Sequence, residues 1–99
     1  MYVYNVTVGI DPEHETEWVA WMKREHMPRV LGTGMFLSAR LFKILHESED
    51  GTLSYSVQYV AESLDRVSEY LERFAPALIE EHRKRFANHV AFRTVLEEV

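Results

Sequence analysis

Hydrophobic residues along this chain repeat first at every second position, then at about every third or fourth, and the changes of period mark its elements. From Tyr2 to Ile10, the residues Tyr2, Tyr4, Val6, Val8 and Ile10 alternate with Val3, Asn5, Thr7 and Gly9. One apolar set against one mixed set predicts a half-buried strand. Asp11-Pro12 predicts a helix start, since the Asp side chain accepts from a free backbone N–H and proline at the first helical position gives up no bond. Glu13, Glu15 and Glu17 suit the positive end of that helix. At about 100° per residue, Trp18, Val19, Met22, His26, Arg29 and Val30 fall on one side, and Glu17, Lys23 and Arg24 point away. Pro28 cannot donate to the carbonyl of Arg24 and crowds it, so a kink or restart is expected there, with Gly32 and Gly34 as the exit.

Met35 to Leu45 is a long apolar run, read as strand two. Ser48-Glu49-Asp50-Gly51 ends in a dipeptide suited to tight reversal, and Thr52 to Val60 resumes alternation as strand three, with Leu53, Tyr55, Val57 and Tyr59 on one face and Ser54, Ser56 and Gln58 on the other. Ser63 opens the second helix, with Asp65 in its first turn and Leu64, Val67, Leu71, Phe74 and Ala75 as the expected buried stripe. Ala75-Pro76 interrupts it. A further helical piece sets Leu78, Ile79, His82 and Phe86 against Glu80, Glu81, Arg83 and Lys84, and Asn88 is expected to end it in the left-handed conformation. His89 to Glu97 is the fourth strand, where Val90, Phe92 and Leu96 alternate with Ala91, Arg93 and Val95.

The order βαββαβ, with right-handed crossovers, predicts an α+β ferredoxin-like domain spanning residues 1–99: a four-stranded antiparallel sheet, both helices on one face, strands one and three at the centre. The helix-facing set is then Tyr4, Val6, Val8, Tyr55, Val57 and Tyr59. The opposite face carries Val3, Asn5, Thr7, Ser56 and Gln58 and has no helix to cover it. Packing that face on its twin about a two-fold axis makes a homodimer the economical expectation; the plainer alternative is a wetted face on a monomer.

Composition narrows the function classes. A chain of 99 residues with 46% hydrophobic and 27% charged residues is globular and holds one core. Net charge is -5 and no Lys/Arg cluster matches a run of phosphates, so no nucleic-acid partner is expected. There is no cysteine, which removes thiolate chemistry and disulfides. The alternating start lacks a basic n-region and no membrane span is evident, so a cytoplasmic protein is expected.

His26, His82, Trp18, Met22, Phe86 and the tyrosines Tyr4, Tyr55 and Tyr59 all point toward the space between helices and sheet. A pocket there would be apolar with a few polar tips, suiting a small aromatic or polycyclic ligand. His26 is the candidate acid or base, because imidazole titrates near neutrality. Trp18, Met22, Tyr55, Tyr59, His82 and Phe86 are the candidate ligand contacts. The plain reading of both histidines is a core residue hydrogen-bonded to its surroundings, and of Trp18 and Trp21 ordinary packing. His14 and His46 are expected to be exposed. No metal is expected, since neither H-x-x-x-H nor H-E-x-x-H occurs. Arg40 and Arg93 can reach an anion at the sheet surface, though solvated or paired arginines are commoner.

The segments YNVTV at Tyr4 to Val8, EHMP at Glu25 to Pro28, YSVQY at Tyr55 to Tyr59, HRKRF at His82 to Phe86 and VAFRT at Val90 to Thr94 resemble a family of short uncharacterised bacterial proteins. That family is similar to the dimeric α/β-barrel superfamily, in which two ferredoxin-like subunits close one barrel. Locally, Glu25, His26, Pro28 and the Gly34-Met35-Phe36 exit resemble EthD-like proteins, whose E-H-x-P motif is followed by a Gly-Phe turn; here Phe36 comes one position later. The resemblance implies a cleft between sheet and helices but no particular reaction. Haem on His26 or His82 rests on this analogy alone, and no cofactor is expected. Two readings follow: a small-molecule protein, oxygenase-like or isomerase-like without a cofactor, using His26; or a non-catalytic homodimeric binding or assembly module in which His26 is structural.

Overall fold

A computed structural model of the chain describes residues 1–45 and 49–99. The strands are β1 (Tyr2–Ile10), β2 (Ser38–Lys43), β3 (Leu53–Ala61) and β4 (Val90–Glu97), in the order β2-β3-β1-β4, and every neighbouring pair is antiparallel. After a 3-10 turn at Pro12–His14, the first helical segment runs as α1 (Glu15–Trp21), a π turn (Met22–His26) and α2 (Met27–Gly32). The second comprises α3 (Leu64–Arg73) and α4 (Ala75–Arg85). This is the expected ferredoxin-like arrangement, with strands one and three central.

Helix starts follow their side-chain caps. Asp11 accepts from the amide of Glu13, and Ser63 from the amide of Arg66. Pro76 sits in the first turn of α4, where its missing N–H removes no helical bond.

Pro28 neither breaks nor ends the first helix. The turn before it widens instead, and the Met27 amide bonds the carbonyl of Met22 five residues back. One extra residue in that turn absorbs the proline, as π bulges do. Gly34, with φ of 80°, is the left-handed exit, while Gly32 remains helical. Asn88 does not play the corresponding part after α4, because no described non-glycine residue has positive φ. Phe86 leaves the helical region (φ -131°, ψ 70°), and the His89 amide closes a turn on its carbonyl. Strand two is shorter than its apolar run: Met35 to Leu37 serve as the approach from the helix, and Ser48 of the expected turn lies outside the described residues. Gly51 takes the positive φ of that reversal.

One row of the inner sheet face reads Leu41, Val57, Val6, Arg93 across β2, β3, β1 and β4, and the next reads Ala39, Tyr59, Tyr4, Val95. Tyr4, Val8, Tyr55, Val57 and Tyr59 are buried under the helices. Around Tyr4 gather Phe36, Tyr59 and Tyr70, ring centroids 5.6 to 6.1 Å away. That cluster sets the rotation of α3: Val67 and Tyr70 are buried, whereas Leu64 and Leu71 of the expected stripe are exposed. A large aromatic seated on aromatic neighbours gains more than either leucine would, and the helix turns to suit it.

On the outer face Ser56 donates to Asn5 Oδ1 at 2.6 Å, and Asn5 Nδ2 donates to Thr7 and Thr94 at 3.2 Å. Phe42 and Phe92 stand exposed on either side of this polar centre, with Val90 and Leu96 beyond. No described helix is long and apolar enough to cross a membrane.

Candidate functional site

Between the inner face and the helices lies a cleft of about 40 Å³. That is room for roughly three water molecules, and less than a benzene ring needs. The sheet contributes Tyr4, Val6, Tyr59 and Arg93, among others; the π turn contributes Met22 and His26; α3 and α4 contribute Tyr70, Ile79 and His82. The π turn matters here, because it ends on His26 and directs that residue and Met22 to one wall. β4 is the sheet's edge, and Arg93 and Val95 are exposed along it, which opens the cleft on that side.

Of the expected contacts, Met22, His26, Tyr59 and His82 do line the cleft. Trp18, Tyr55 and Phe86 do not. Trp18 is wholly buried behind His82 and donates from its indole Nε1 to His82 Nε2 at 2.9 Å. Tyr55 turns its hydroxyl to Glu15 at 2.6 Å, and Phe86 packs between Trp21 and His89. Residues sharing one face of an element still differ in depth, and these three fill the end nearer β4's start, as supports for the lining. Trp21 is buried too, stacked on His26 with centroids 5.0 Å apart.

The sequence reading missed Tyr70, Ile79 and Arg93 as lining residues. Alternation in the fourth strand puts Arg93 in the set of Ala91, and the pairing of Ala91 with Val8 makes that set inward. This was the available signal. Arg40, opposite Gln58, faces outward as expected of a sheet-surface residue.

Four of the five histidines form a row: His26 to His82 at 5.9 Å, His82 to His89 at 6.0 Å and His89 to His14 at 5.6 Å between centroids. His14 is therefore partly buried, and its Nδ1 lies 3.4 Å from His89 Nε2. His46 lies outside the described residues. The row runs from the cleft to an open groove of about 650 Å³ at the end of the sheet, bordered by His14, His89, Asn88 and Asp11.

Burial, and then the neighbouring imidazole, holds His26 down at about 4; burial, and then His89, holds His82 down at about 4. His89 is lowered by burial as well. These imidazoles are thus uncharged at neutral pH. The indole donor fixes the neutral His82 with its proton on Nδ1. His26 Nδ1 is buried with no hydrogen-bond partner in the described structure. Burial raises the phenols of Tyr4, Tyr59 and Tyr70, so they keep their protons. Among the described residues no group of three or more His, Cys, Asp or Glu could hold a metal ion.

The antiparallel βαββαβ sheet with its helix-covered cleft defines the chain as a ferredoxin-like α+β protein. Residues 1–99 match the family described as Domain of unknown function (DUF4286), and the chain belongs to it. No functionally curated protein matches the sequence significantly. Among solved structures it is similar to an ethyl tert-butyl ether D (EthD) family protein from Bacillus halodurans C-125, with a TM-score of 0.70 at 13% identity over 100% of both chains. A dimeric ferredoxin-like protein from an uncultured marine organism gives 0.68 at 13% identity, over 100% of this chain and 95% of the other. A protein described as an antibiotic biosynthesis monooxygenase gives 0.66 at 13% identity, over 100% and 99%. At such identities the likeness is one of fold.

Proposed function

We propose that this chain is a small-molecule protein of the dimeric α/β-barrel kind, which takes a compact, largely apolar ligand in the cleft and uses His26 to accept a proton from it. One observation carries the reading: the cleft reaches an imidazole whose Nδ1 is buried and has no protein partner. Buried polar atoms are nearly always satisfied, and on this reading a polar atom of the ligand supplies the partner that His26 Nδ1 lacks. An imidazole held near 4 is a weak base, and its natural reactant is an acidic C–H or O–H. Proton removal of that kind opens isomerisation and, with dioxygen as the oxidant that takes electrons from the resulting carbanion, cofactor-free oxygenation. The antibiotic biosynthesis monooxygenase among its structural neighbours is in keeping with an oxygenation of this kind and assigns no substrate.

The ligand is small, because the cleft has less room than an aromatic ring needs. An NMR-monitored screen of neutral fragments tests the reading, with shifts expected at Met22–Met27 and at Tyr70. His26→Gln should abolish those shifts while the melting temperature stays within a few degrees of wild type. A large loss of stability with unchanged fragment shifts would show His26 to be structural.

The second reading, a homodimeric assembly module, draws on the outer face. Exposed Phe42, Phe92, Val90 and Leu96 around a polar centre support it, since a two-fold axis through that face would set them against their twins. A dimer through the outer face suits either reading, since the cleft lies on the opposite side of the sheet; the two part on whether His26 is a working group or a structural one.

A further inference from the structure

Among the described residues the cleft wall carries a single formal charge, that of Arg93, and no acid. The place of Arg93 opposite Val6 turns its side chain to the helix-covered side of the sheet. Among the described residues no carboxylate forms an ion pair with Arg93. Arg29, whose charge also acts on His26, is by contrast held by both Glu25 and Glu81. Arg93 is hydrogen-bonded to the Tyr4 side chain, and its charge acts on Tyr4, Tyr70 and His82, which line the same cleft.

We propose that the ligand of this cleft is a small carboxylate, its acid group held by Arg93 at the β4 edge and its short apolar end lodged against Met22, Val6 and Ile79. This inference rests on the reading of the cleft as a ligand site and names its substrate class. A guanidinium offers two parallel N–H donors that match a carboxylate, and ionised partners make the stronger hydrogen bonds. Tyr4 and Tyr70 retain their hydroxyl protons and stand ready as further donors. The neutral imidazoles repel neither the anion nor the arginine. A neutral ligand of the same shape leaves the guanidinium without its counter-charge, and the size of the cleft limits the apolar end to a few carbon atoms.

The probes are butanoate and its neutral isostere butanamide, titrated into uniformly labelled protein and followed by backbone amide shifts. Butanoate should bind roughly tenfold more tightly than butanamide, as one charge-assisted pair at a partly exposed site provides, with shifts at Ala91–Val95 and Met22–Met27. Arg93→Gln should bring the two probes to equal affinity, Arg93→Lys should keep part of the preference, and Arg40→Gln on the outer face should change nothing. Arg93 is exposed on an edge strand, so these variants retain the fold. Equal binding of both probes to wild type at cleft resonances would overturn the carboxylate assignment and leave the cleft a ligand site. Butanoate shifts that survive Arg93→Gln would overturn it as well. Cleft resonances that neither probe moves would remove the assignment and the functional reading together.

Discussion

The indole of Trp18 donates a hydrogen bond to Nε2 of His82 at 2.9 Å, joining residues 64 positions apart across the helical layer. The donor is wholly buried and the acceptor partly so. Since indole only donates, His82 is committed to one tautomer, and its Nε2 cannot pass a proton onward. The histidine row is consequently a packed array of neutral rings, not a proton wire. Trp18→Phe keeps most of the apolar bulk but strands Nε2. A loss of about 1–3 kcal/mol is expected for the unsatisfied acceptor, plus a packing loss, measured by urea denaturation. A loss below half a kcal/mol would mean that the bond contributes nothing.

The same rings make the fold sensitive to acid. His26 and His82 sit at about 4 when folded, against an ordinary 6.5. The unfolded chain therefore binds more protons between those values, and stability falls as pH drops through that window; above 6.5 the full contribution is present. The melting temperature should be level between about pH 6.5 and 10 and decline below that window. The double variant His26→Gln, His82→Gln should show a shallower decline than wild type. Equal slopes would assign the acid loss to carboxylates.

At the alkaline end the sign is reversed. Burial raises Tyr59 and Tyr70, and burial with the Glu15 carboxylate pushes Tyr55 up to about 12. Their stabilising effect is complete below the ordinary value of 10 and is lost as pH rises above it. Phenolate absorbance should show these tyrosines ionising together with unfolding. A smooth titration of every tyrosine in the folded protein would contradict the burial.

Phe92 is 69% exposed on the outer face of β4. If that face joins two copies, wild-type protein should run at twice 11.7 kDa in dilute solution, and Phe92→Asp should run as one chain with an unchanged circular dichroism spectrum. A wild-type mass of one chain would end the dimer reading.

Lys43 and Tyr55 converge on Glu15 Oε2 at 2.8 and 2.6 Å, and the two bonds, Lys43's first, hold that carboxyl below its usual range. Glu15→Gln should weaken the link between the first helix and the β2–β3 pair only slightly, as exposed ion pairs do, and lower the melting temperature by a small amount. High salt should mask the difference.

Period-two alternation determined the strands and the division of the sheet into a covered and an uncovered face, because a strand leaves each side chain only two directions. The caps at Asp11 and Ser63 were legible for a similar reason: each is a local bond between a side chain and an amide two or three residues on. His26 and His82 could be assigned to inward stripes from helical spacing alone. Tertiary packing decided the rest. The rotation of α3 followed Tyr70 into an aromatic cluster drawn from β1, β3, α3 and the segment before β2, and Pro28 was absorbed by a π turn whose extra residue the sequence does not announce. Depth within a face separated Met22 and Tyr59, which line the cleft, from Trp18 and Tyr55, which stand behind it. The row of four histidines joins residues up to 75 positions apart, and the inward turn of Arg93 depends on the register of two edge-to-centre strands. Local bonds and periods act within a few residues; cavity shape, pairing and charge balance are properties of contacts between distant ones, and they exist only once the layers have packed.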